Sequence, residues 1–496
     1  MIYEISLLLI PIILITFLNL LKSSPKSNLK LPLGPKPWPI VGHMHLLGDK
    51  PHQNVTQLSK KYGPIMSLRL GSAPIIVISC PKIAKEMFLK HDLAFSSRKV
   101  PVARKVTNHD KFSMIWLPVG HKWRTLRKVV TMQLFTKIRL DSSQALREMK
   151  VNELLTYVRK CYESGAPVDI GKAGSITLLN MMSNTLFSVD MGSHDESCSQ
   201  EFKELVWHLL EEGSKINVSD FIPLFEVFDL QGVLRRNTCY LNKMIGIFDR
   251  IIDQRLSDNV DCTKDDVLHT LLMLVKDNEL SFDDVKHLLM DLFLAGSDTT
   301  YSTLEWAMTE LLQNPQNITK AQNEMDQVLG NKNGPIREPD ISNLPYIQAI
   351  VKETLRLHPP TPILVPHRAK TDVNLCGYLV PKDSEIWVNI WAMGRDPTLW
   401  KNPNSFNPER FLDGANNEID MKHQDFKFIP FGAGRRMCPG MPLAYRMLHL
   451  MLANLINSFN WKHKNNEFNV ENIDGQETFG LSMQRVEPLL LIPIPR

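Results

Sequence analysis

One cysteine lies in a loop that could hold it as a reactive thiolate. Residues 431–440 read FGAGRRMCPG, and a helical pattern follows them. Glycines let backbone amides turn toward the sulfur of Cys438, and the loop precedes the positive end of the helix. With the charges of Arg435 and Arg436, these features favour the deprotonated sulfur. Such a thiolate could be a nucleophile, which needs a nearby base, or the axial ligand of a haem iron.

A second group of polar residues interrupts a long apolar helix. The pattern predicts one helix over 281–314, opened by a capping box and ended before a proline. In its middle, residues 295–300 read AGSDTT, where a glycine and polar groups weaken a helix that should be buried. We expect Gly296 to let a ligand touch the backbone, and Asp298 with Thr299 to supply an acid and a hydroxyl for proton delivery.

Further charged residues could bind carboxylates. Glu353 and Arg356 lie three apart on a predicted helix and share one face, and Arg410, within PERF at 408–411, could bind the same carboxylate. An isolated pair of this kind is common on surfaces and contributes little. Haem also requires cations and donors for its propionates, and the candidates are Trp123, Arg127, Arg368 and Arg436.

The elements that must position these residues are mainly helical. Residues 65–79 predict a β-hairpin, the apolar period is mostly helical from 82 to 330, and strand patterns return at 373–391 and 489–494. No regular βαβ alternation is present. A doubly wound sheet and a TIM barrel are therefore excluded as first choices.

Composition sets the class of protein. The chain has 496 residues, 43% of them hydrophobic, with 57 basic and 53 acidic side chains. These values exclude a disordered chain, a collagen and a polytopic membrane protein, and they indicate no nucleic-acid partner. Seven cysteines without a C-x-x-C pair argue against disulfides and a structural zinc site, so we expect a reducing compartment.

The N-terminus predicts a membrane anchor. Residues 5–21 contain no charge, and three lysines follow within nine positions. A cleaved signal peptide is the alternative, but it would have a basic start and a small-residue cleavage site. We expect an uncleaved lipid-bilayer anchor over 1–21, a proline-rich hinge over 22–40, and one catalytic domain over 41–496 on the cytosolic side.

Together, and in this order, these motifs resemble the cytochrome P450 haem-thiolate monooxygenases of the membrane-bound eukaryotic type. The resemblance covers the whole chain. Stretches such as HLLGD at 45–49 and STLEWAM at 302–308 are similar to the plant branch that includes geraniol hydroxylases. The resemblance implies the cytochrome P450 fold, which is mainly α with small β-sheets, as a single large haem domain that follows the anchor.

The resemblance also implies roles for residues. Cys438 would be the axial thiolate of haem b, and Asp298 with Thr299 the acid and alcohol of oxygen activation. Propionate partners would be Trp123, Arg127 and Arg436, together with either His367 or Arg368. Glu353, Arg356 and Arg410 would form a buried structural triad. A substrate pocket would include Trp116, Phe293, Leu294, Ile363, Leu364 and Leu481.

The implied activity is hydroxylation of a hydrophobic plant metabolite, such as a monoterpenol, with O2 and NADPH. Electrons would come from a partner, an NADPH-cytochrome reductase in the endoplasmic reticulum membrane. Oxidation of an alkaloid, diterpene or phenolic remains open. So do a haem-thiolate isomerase that needs no reductase, which the presence of both Asp298 and Thr299 disfavours, and a non-catalytic haem sensor.

Overall fold

The computed structural model describes residues 29–194, 201–215, 217–257, 266–330, 334–412, 426–464, 476–480 and 482–496. The predicted anchor at 1–21, the hinge residues 22–28 and Leu481 lie outside this part of the chain. Across the described ranges, none of the helices combines the length with the apolar character that a bilayer span requires.

The described chain is mainly helical, which confirms the predicted fold class. The α-helices are α1 (Pro51–Tyr62), α2 (Pro81–Lys90), α3 (Val102–Lys105), α4 (His109–Phe112), α5 (His121–Leu134), α6 (Lys137–Ser142), α7 (Gln144–Ser164), α8 (Ile170–Phe187), α9 (Glu201–Ser214), α10 (Val233–Ser257), α11 (Val267–Lys276), α12 (Phe282–Gln313), α13 (Pro315–Leu329), α14 (Pro345–Leu357), α15 (Ile390–Gly394) and α16 (Met441–Ser458). Short 3-10 turns connect several of them.

The strands form small sheets beside the helices. They are β1 (Ile65–Leu70), β2 (Ala73–Ile78), β3 (Val168–Asp169), β4 (His367–Arg368), β5 (Val373–Leu375), β6 (Tyr378–Val380), β7 (Glu385–Val388), β8 (Phe459–His463), β9 (Glu477–Thr478), β10 (Gln484–Arg485) and β11 (Leu490–Pro495). The largest sheet has the order β1-β2-β7-β4, another has the order β3-β11-β8, and β5-β6 and β9-β10 are two-stranded.

The predicted hairpin and the later strand patterns meet in the largest sheet. β1 and β2 pair antiparallel, from Ile65 with Ile78 to Leu70 with Ala73, so the hairpin prediction is confirmed. β2 then pairs in parallel with β7, more than 300 positions later in the chain. This long-range pairing fixes β4, and therefore residues 367–368, beside β7.

The helix α12 is the central element of the helical core. Its predicted capping box is confirmed: the Ser281 hydroxyl accepts from the Asp284 N–H, and the Asp284 carboxylate accepts from the Ser281 N–H at 2.9 Å. The helix is buried along most of its length and packs on α8, α14 and α16. Close approach to α8 is possible because a Cβ at Gly174 would already touch Leu304 at 3.2 Å.

Candidate active site

A cavity of about 290 Å³ brings several elements together. Its walls come from the middle of α12, the loop before α16 and the segment 360–367. Leucine, methionine, proline and phenylalanine side chains form much of the surface. The polar and charged side chains on the wall are Arg98, Trp123, Arg127, Asp291, Thr299, Thr300, Thr303, Thr361, His367, Arg436 and Cys438.

The loop before α16 places Cys438 on this wall. The Cys438 N–H donates to the Phe431 carbonyl at 3.0 Å. Gly432 and Gly434 adopt left-handed φ angles of 70° and 67°, which glycine reaches without strain. A Cβ on Gly434 would lie 2.4 Å from Oδ1 of Asp92. The glycines therefore permit the tight turn that presents the sulfur to the cavity.

The electrostatics of Cys438 differ from the expectation. Burial raises the pKa of its thiol, while the N–H groups of Gly440 and Met441 and the charge of Arg127 act in the opposite direction. The inference that the loop alone depresses this pKa is wrong, because it omitted the cost of burying a thiolate. A positive charge at the sulfur, such as that of a bound metal ion, would favour the thiolate.

Three guanidinium groups lie on the wall: those of Arg98, Arg127 and Arg436. In the described part of the chain they donate to backbone carbonyls and form no ion pair with a carboxylate. Burial lowers the pKa of Arg98 to about 9 and that of Arg436 to about 10. The buried Nε of Arg98 has no hydrogen-bond partner among the described residues. Buried cations without counter-ions are costly, so this end of the cavity favours an anionic ligand.

Two aromatic side chains accompany these cations. The Trp123 indole N–H donates to the Met114 carbonyl at 3.1 Å. The His367 ring donates through Nδ1 to the Phe95 carbonyl at 2.8 Å. Burial, together with the nearby charge of Arg98, lowers the pKa of His367 to about 3, so this imidazole is neutral near pH 7.

Arg368 lies elsewhere. Its half-exposed guanidinium pairs with Asp383 at 2.7 Å, and it is not among the residues of the cavity wall. Adjacent residues of a strand point to opposite faces, which is why His367 faces the cavity and Arg368 does not.

One face of α12 borders the cavity. Ala295, Gly296, Thr299, Thr300 and Thr303 lie on the wall at helical spacing. The helix is continuous through this segment, and the Thr299 hydroxyl donates to the Ala295 carbonyl at 3.1 Å. The weak helix formers therefore open space beside the helix without breaking it.

Asp298 faces away from the cavity. Its carboxyl group is 1% exposed and accepts hydrogen bonds from the Ser482 hydroxyl at 2.5 Å and the Gln484 amide at 2.7 Å. Burial raises the pKa of Asp298, while bonds from Ser482, Tyr301 and Gln484 oppose that rise. The structure therefore does not bring Asp298 to the surface that Thr299 shares with Cys438.

The three residues of the predicted triad meet in one buried cluster. The Glu353 carboxylate accepts from Arg356 Nε at 2.7 Å, from Arg356 Nη2 at 2.8 Å and from Arg410 Nε at 2.9 Å. The side chains of Glu353 and Arg356 are 0% exposed and that of Arg410 is 7% exposed. The cluster does not line the cavity.

The predicted substrate pocket is only partly on the cavity wall. Leu364 lies there. Phe293 is fully buried and packs against Phe187 and Phe202, with ring centroids 5.8 and 5.0 Å away. Leu294 and Ile363 are core residues, and Trp116 is also absent from the wall. The helical repeat explains Phe293 and Leu294, because they project from other faces than Ala295 and Thr299.

Residues 98–117 and 291–299 were expected to contribute to the pocket, but sequence reasoning gave no individual role to Arg98 or Asp291. Asp291 lies on the wall one turn before Ala295 and accepts from the Ser113 hydroxyl at 2.7 and 2.8 Å. Its signal was a single acid within the apolar run of residues 288–294. No local pattern distinguished Arg98, whose position depends on contacts with residues 365 and 366.

Comparison with known proteins agrees with this geometry. The family model of cytochrome P450 matches residues 32–491. Cytochrome P450 monooxygenase 76AD131 of Lophophora williamsii is 52% identical over 97% of each chain. Cytochrome P450 76AD1 of Beta vulgaris is 50% identical over 97% of this chain and 96% of its own. Geraniol 8-hydroxylase of Catharanthus roseus is 47% identical over 93% of this chain and 94% of its own.

The family assignment defines the enzyme class and its cofactor. Proteins of this family are monooxygenases that hold haem iron and receive electrons of NADPH from a redox partner. The expectation of a haem-thiolate monooxygenase near the geraniol 8-hydroxylase branch is confirmed. The chain belongs to the cytochrome P450 family.

Proposed function

We propose that the protein hydroxylates a hydrophobic plant specialised metabolite, specifically a terpenoid such as a monoterpenol. The main support is the cavity itself, where the only described cysteine on the wall faces a threonine-lined helix and largely apolar surroundings. Two relatives, 44% and 47% identical to this chain, are named geraniol 8-hydroxylase, and geraniol is a monoterpenol.

The residues on the wall fit haem. Cys438 would bind the iron, and the cationic iron would stabilise the thiolate that burial otherwise disfavours. Arg98, Arg127 and Arg436 would meet the propionates, and the unpaired Nε of Arg98 is a donor that an anion would satisfy. His367, rather than Arg368, would complete this end. When bound, haem supplies the chemistry that inserts one atom of O2 into a C–H bond.

The protein's own groups would exclude water and move protons. The hydroxyl of Thr299 lies on the wall and can rotate between the Ala295 carbonyl and a ligand in the cavity. Asp298, on the rear side of α12, would be the acid that returns a proton to the Thr299 hydroxyl, because burial favours the protonated form of its carboxyl.

Apolar groups would hold the substrate. Leu292, Leu364 and Val365 are among the apolar residues of the wall. A largely apolar cavity with few polar groups suits a terpenoid with one hydroxyl.

We also infer a membrane-bound enzyme of the endoplasmic reticulum, with an anchor over 1–21, a hinge over 22–40 and the haem domain over 41–496 in the cytosol. Exposed apolar residues support this arrangement: Leu33, Trp38 and Ile40 are 52–69% exposed. Segment 41–43 bonds to the β1-β2 hairpin, whose turn contacts Phe221. Three further apolar residues follow Phe221 closely in the chain and are 57–66% exposed: Leu224, Phe228 and Leu230. An apolar surface at this place suits a bilayer. Recovery of the full-length protein in the supernatant after carbonate extraction of microsomes would contradict this topology.

The proposed activity can be tested by reconstitution. The full-length protein is combined with a plant NADPH-cytochrome reductase and screened with monoterpenols, diterpenes, phenolics and alkaloids. We expect a hydroxylated terpenoid that forms only with NADPH, reductase and O2. Product formation without O2 would indicate an isomerase, and unchanged turnover in Thr299→Ala would refute the role of that hydroxyl. Loss of all turnover in Thr299→Ala with an intact haem spectrum would exclude a non-catalytic sensor.

A further inference from the structure

The C-terminal segment 482–485 is fixed to the rear face of α12. Ser482 donates to Oδ2 of Asp298 at 2.5 Å, and the Gln484 amide donates to Oδ1 at 2.7 Å. The same amide nitrogen lies 2.9 Å from the Tyr301 hydroxyl. Both carboxyl oxygens therefore have a donor from one short segment, which fixes the rotamer of Asp298.

A separate contact ties the same segment to the same helix without touching Asp298. The Met483 carbonyl accepts from the Ser302 hydroxyl at 2.6 Å and from the Trp306 indole N–H at 3.2 Å. The Met483 N–H donates to the carbonyl of Pro360, a residue of the cavity wall, at 2.8 Å. The segment therefore connects the rear of α12 with the cavity wall.

This arrangement bears on proton delivery. Asp298 is held behind the helix while its neighbour Thr299 faces the cavity. Without these two donors the buried carboxyl would keep only its bond with Tyr301, and it would move toward other partners or water. How the acid is placed relative to Thr299 therefore depends on Ser482 and Gln484.

We propose that Ser482 and Gln484 are positioning residues that hold Asp298 for proton delivery. They would thereby determine what fraction of the NADPH consumed is used to form product. The inference rests on the proposed function. Productive turnover consumes substrate, O2, two electrons and two protons and gives hydroxylated product and water. Mistimed proton delivery releases hydrogen peroxide from O2, two electrons and two protons, and the substrate stays unchanged.

The first test needs no substrate. The infrared C=O stretch of the protonated Asp298 carboxyl is recorded in the full-length resting holoprotein as the pH is lowered, and it is assigned by its loss in Asp298→Asn. We expect the band to move to higher frequency in Ser482→Ala and Gln484→Leu, because each removes a donor. Ser302→Ala is the matched control, since it loosens the same segment without touching the acid, and its band should stay in place.

The second test measures hydrogen peroxide and product per NADPH consumed, with reductase and geraniol as the probe. Gln484→Leu should raise the ratio of peroxide to product by at least about threefold, with the carbon-monoxide spectrum unchanged, whereas Ser302→Ala should match the wild type. An unmoved infrared band in both variants, or an equal rise in Ser302→Ala, would overturn the inference. Absence of wild-type turnover with every substrate would overturn the proposed function instead, and the infrared result would still decide whether the two residues hold Asp298.

Discussion

Neutralising Glu353 should destabilise the protein strongly, because this carboxylate is the counter-ion of two buried arginines. It accepts three bonds from Arg356 and Arg410 and a fourth from the Asn407 N–H at 2.8 Å. Glu353→Gln preserves the shape but removes the charge, and it replaces one acceptor oxygen with a donor. Two cations then remain buried without a counter-ion.

Removing one partner of a buried ion pair costs about 3–5 kcal/mol. We place Glu353→Gln within this range and Glu353→Ala at its upper end. The Arg356 guanidinium also donates to the carbonyls of Gly394, Pro403 and Ser405, which compensate part of the loss. These carbonyls are the reason why we do not expect a larger effect.

The assay is urea unfolding of the full-length holoprotein in detergent, followed by far-UV circular dichroism and by haem absorbance. Asp383→Asn is the matched control, because it removes the charge of a half-exposed pair with Arg368 and should cost at most about 1 kcal/mol. Asparagine also tolerates the left-handed φ of 68° at that position. A cost for Glu353→Gln no larger than that of the control would refute the reasoning.

Three further predictions concern Arg98, Gly434 and His449. Arg98→Met should lower the ratio of haem to purified protein severalfold, whereas Arg368→Met should leave it unchanged, and equal ratios would remove Arg98 from the haem site. Gly434→Ala should lower the free energy of unfolding by about 1–3 kcal/mol because of its positive φ, whereas Gly246→Ala, whose new Cβ meets no atom within 4 Å, should raise it slightly in a urea titration. Burial lowers the pKa of His449 to about 4, so between about pH 6.5 and 4 only the unfolded chain binds a proton at this residue, and stability falls with acidification. Relative to His449→Leu, the wild type should therefore lose about 2 kcal/mol of its free energy of unfolding between pH 7.5 and pH 5. Parallel pH profiles of the two proteins would contradict this.

Local patterns were sufficient for several elements. The hairpin at 65–79 and the ends of α12 follow from strand alternation and from the capping box, which depend on near neighbours in sequence. The glycine-rich loop around Cys438 was recognisable for the same reason. The pairing of β2 with β7 was not predictable, because it joins residues that no local rule relates.

Side-chain direction is what the sequence could not supply. Asp298 and Thr299 are adjacent and both polar, yet one faces Ser482 and the other faces the cavity. Phe293 and Leu294 were expected in the pocket, but the rotation of α12 directs them into the core. The position of Arg98 depends on carbonyls about 270 residues away. Each of these outcomes is set by tertiary packing.

The most direct test of haem-thiolate ligation is the carbon-monoxide difference spectrum of the reduced full-length protein. We predict the long-wavelength Soret band that is characteristic of a thiolate-bound haem, and its loss in Cys438→Ala. The six other cysteines provide the controls, and Cys161→Ala, in the buried core, should retain the band. A protein that binds haem but lacks this band, or a Cys438→Ala variant that keeps it, would contradict the account.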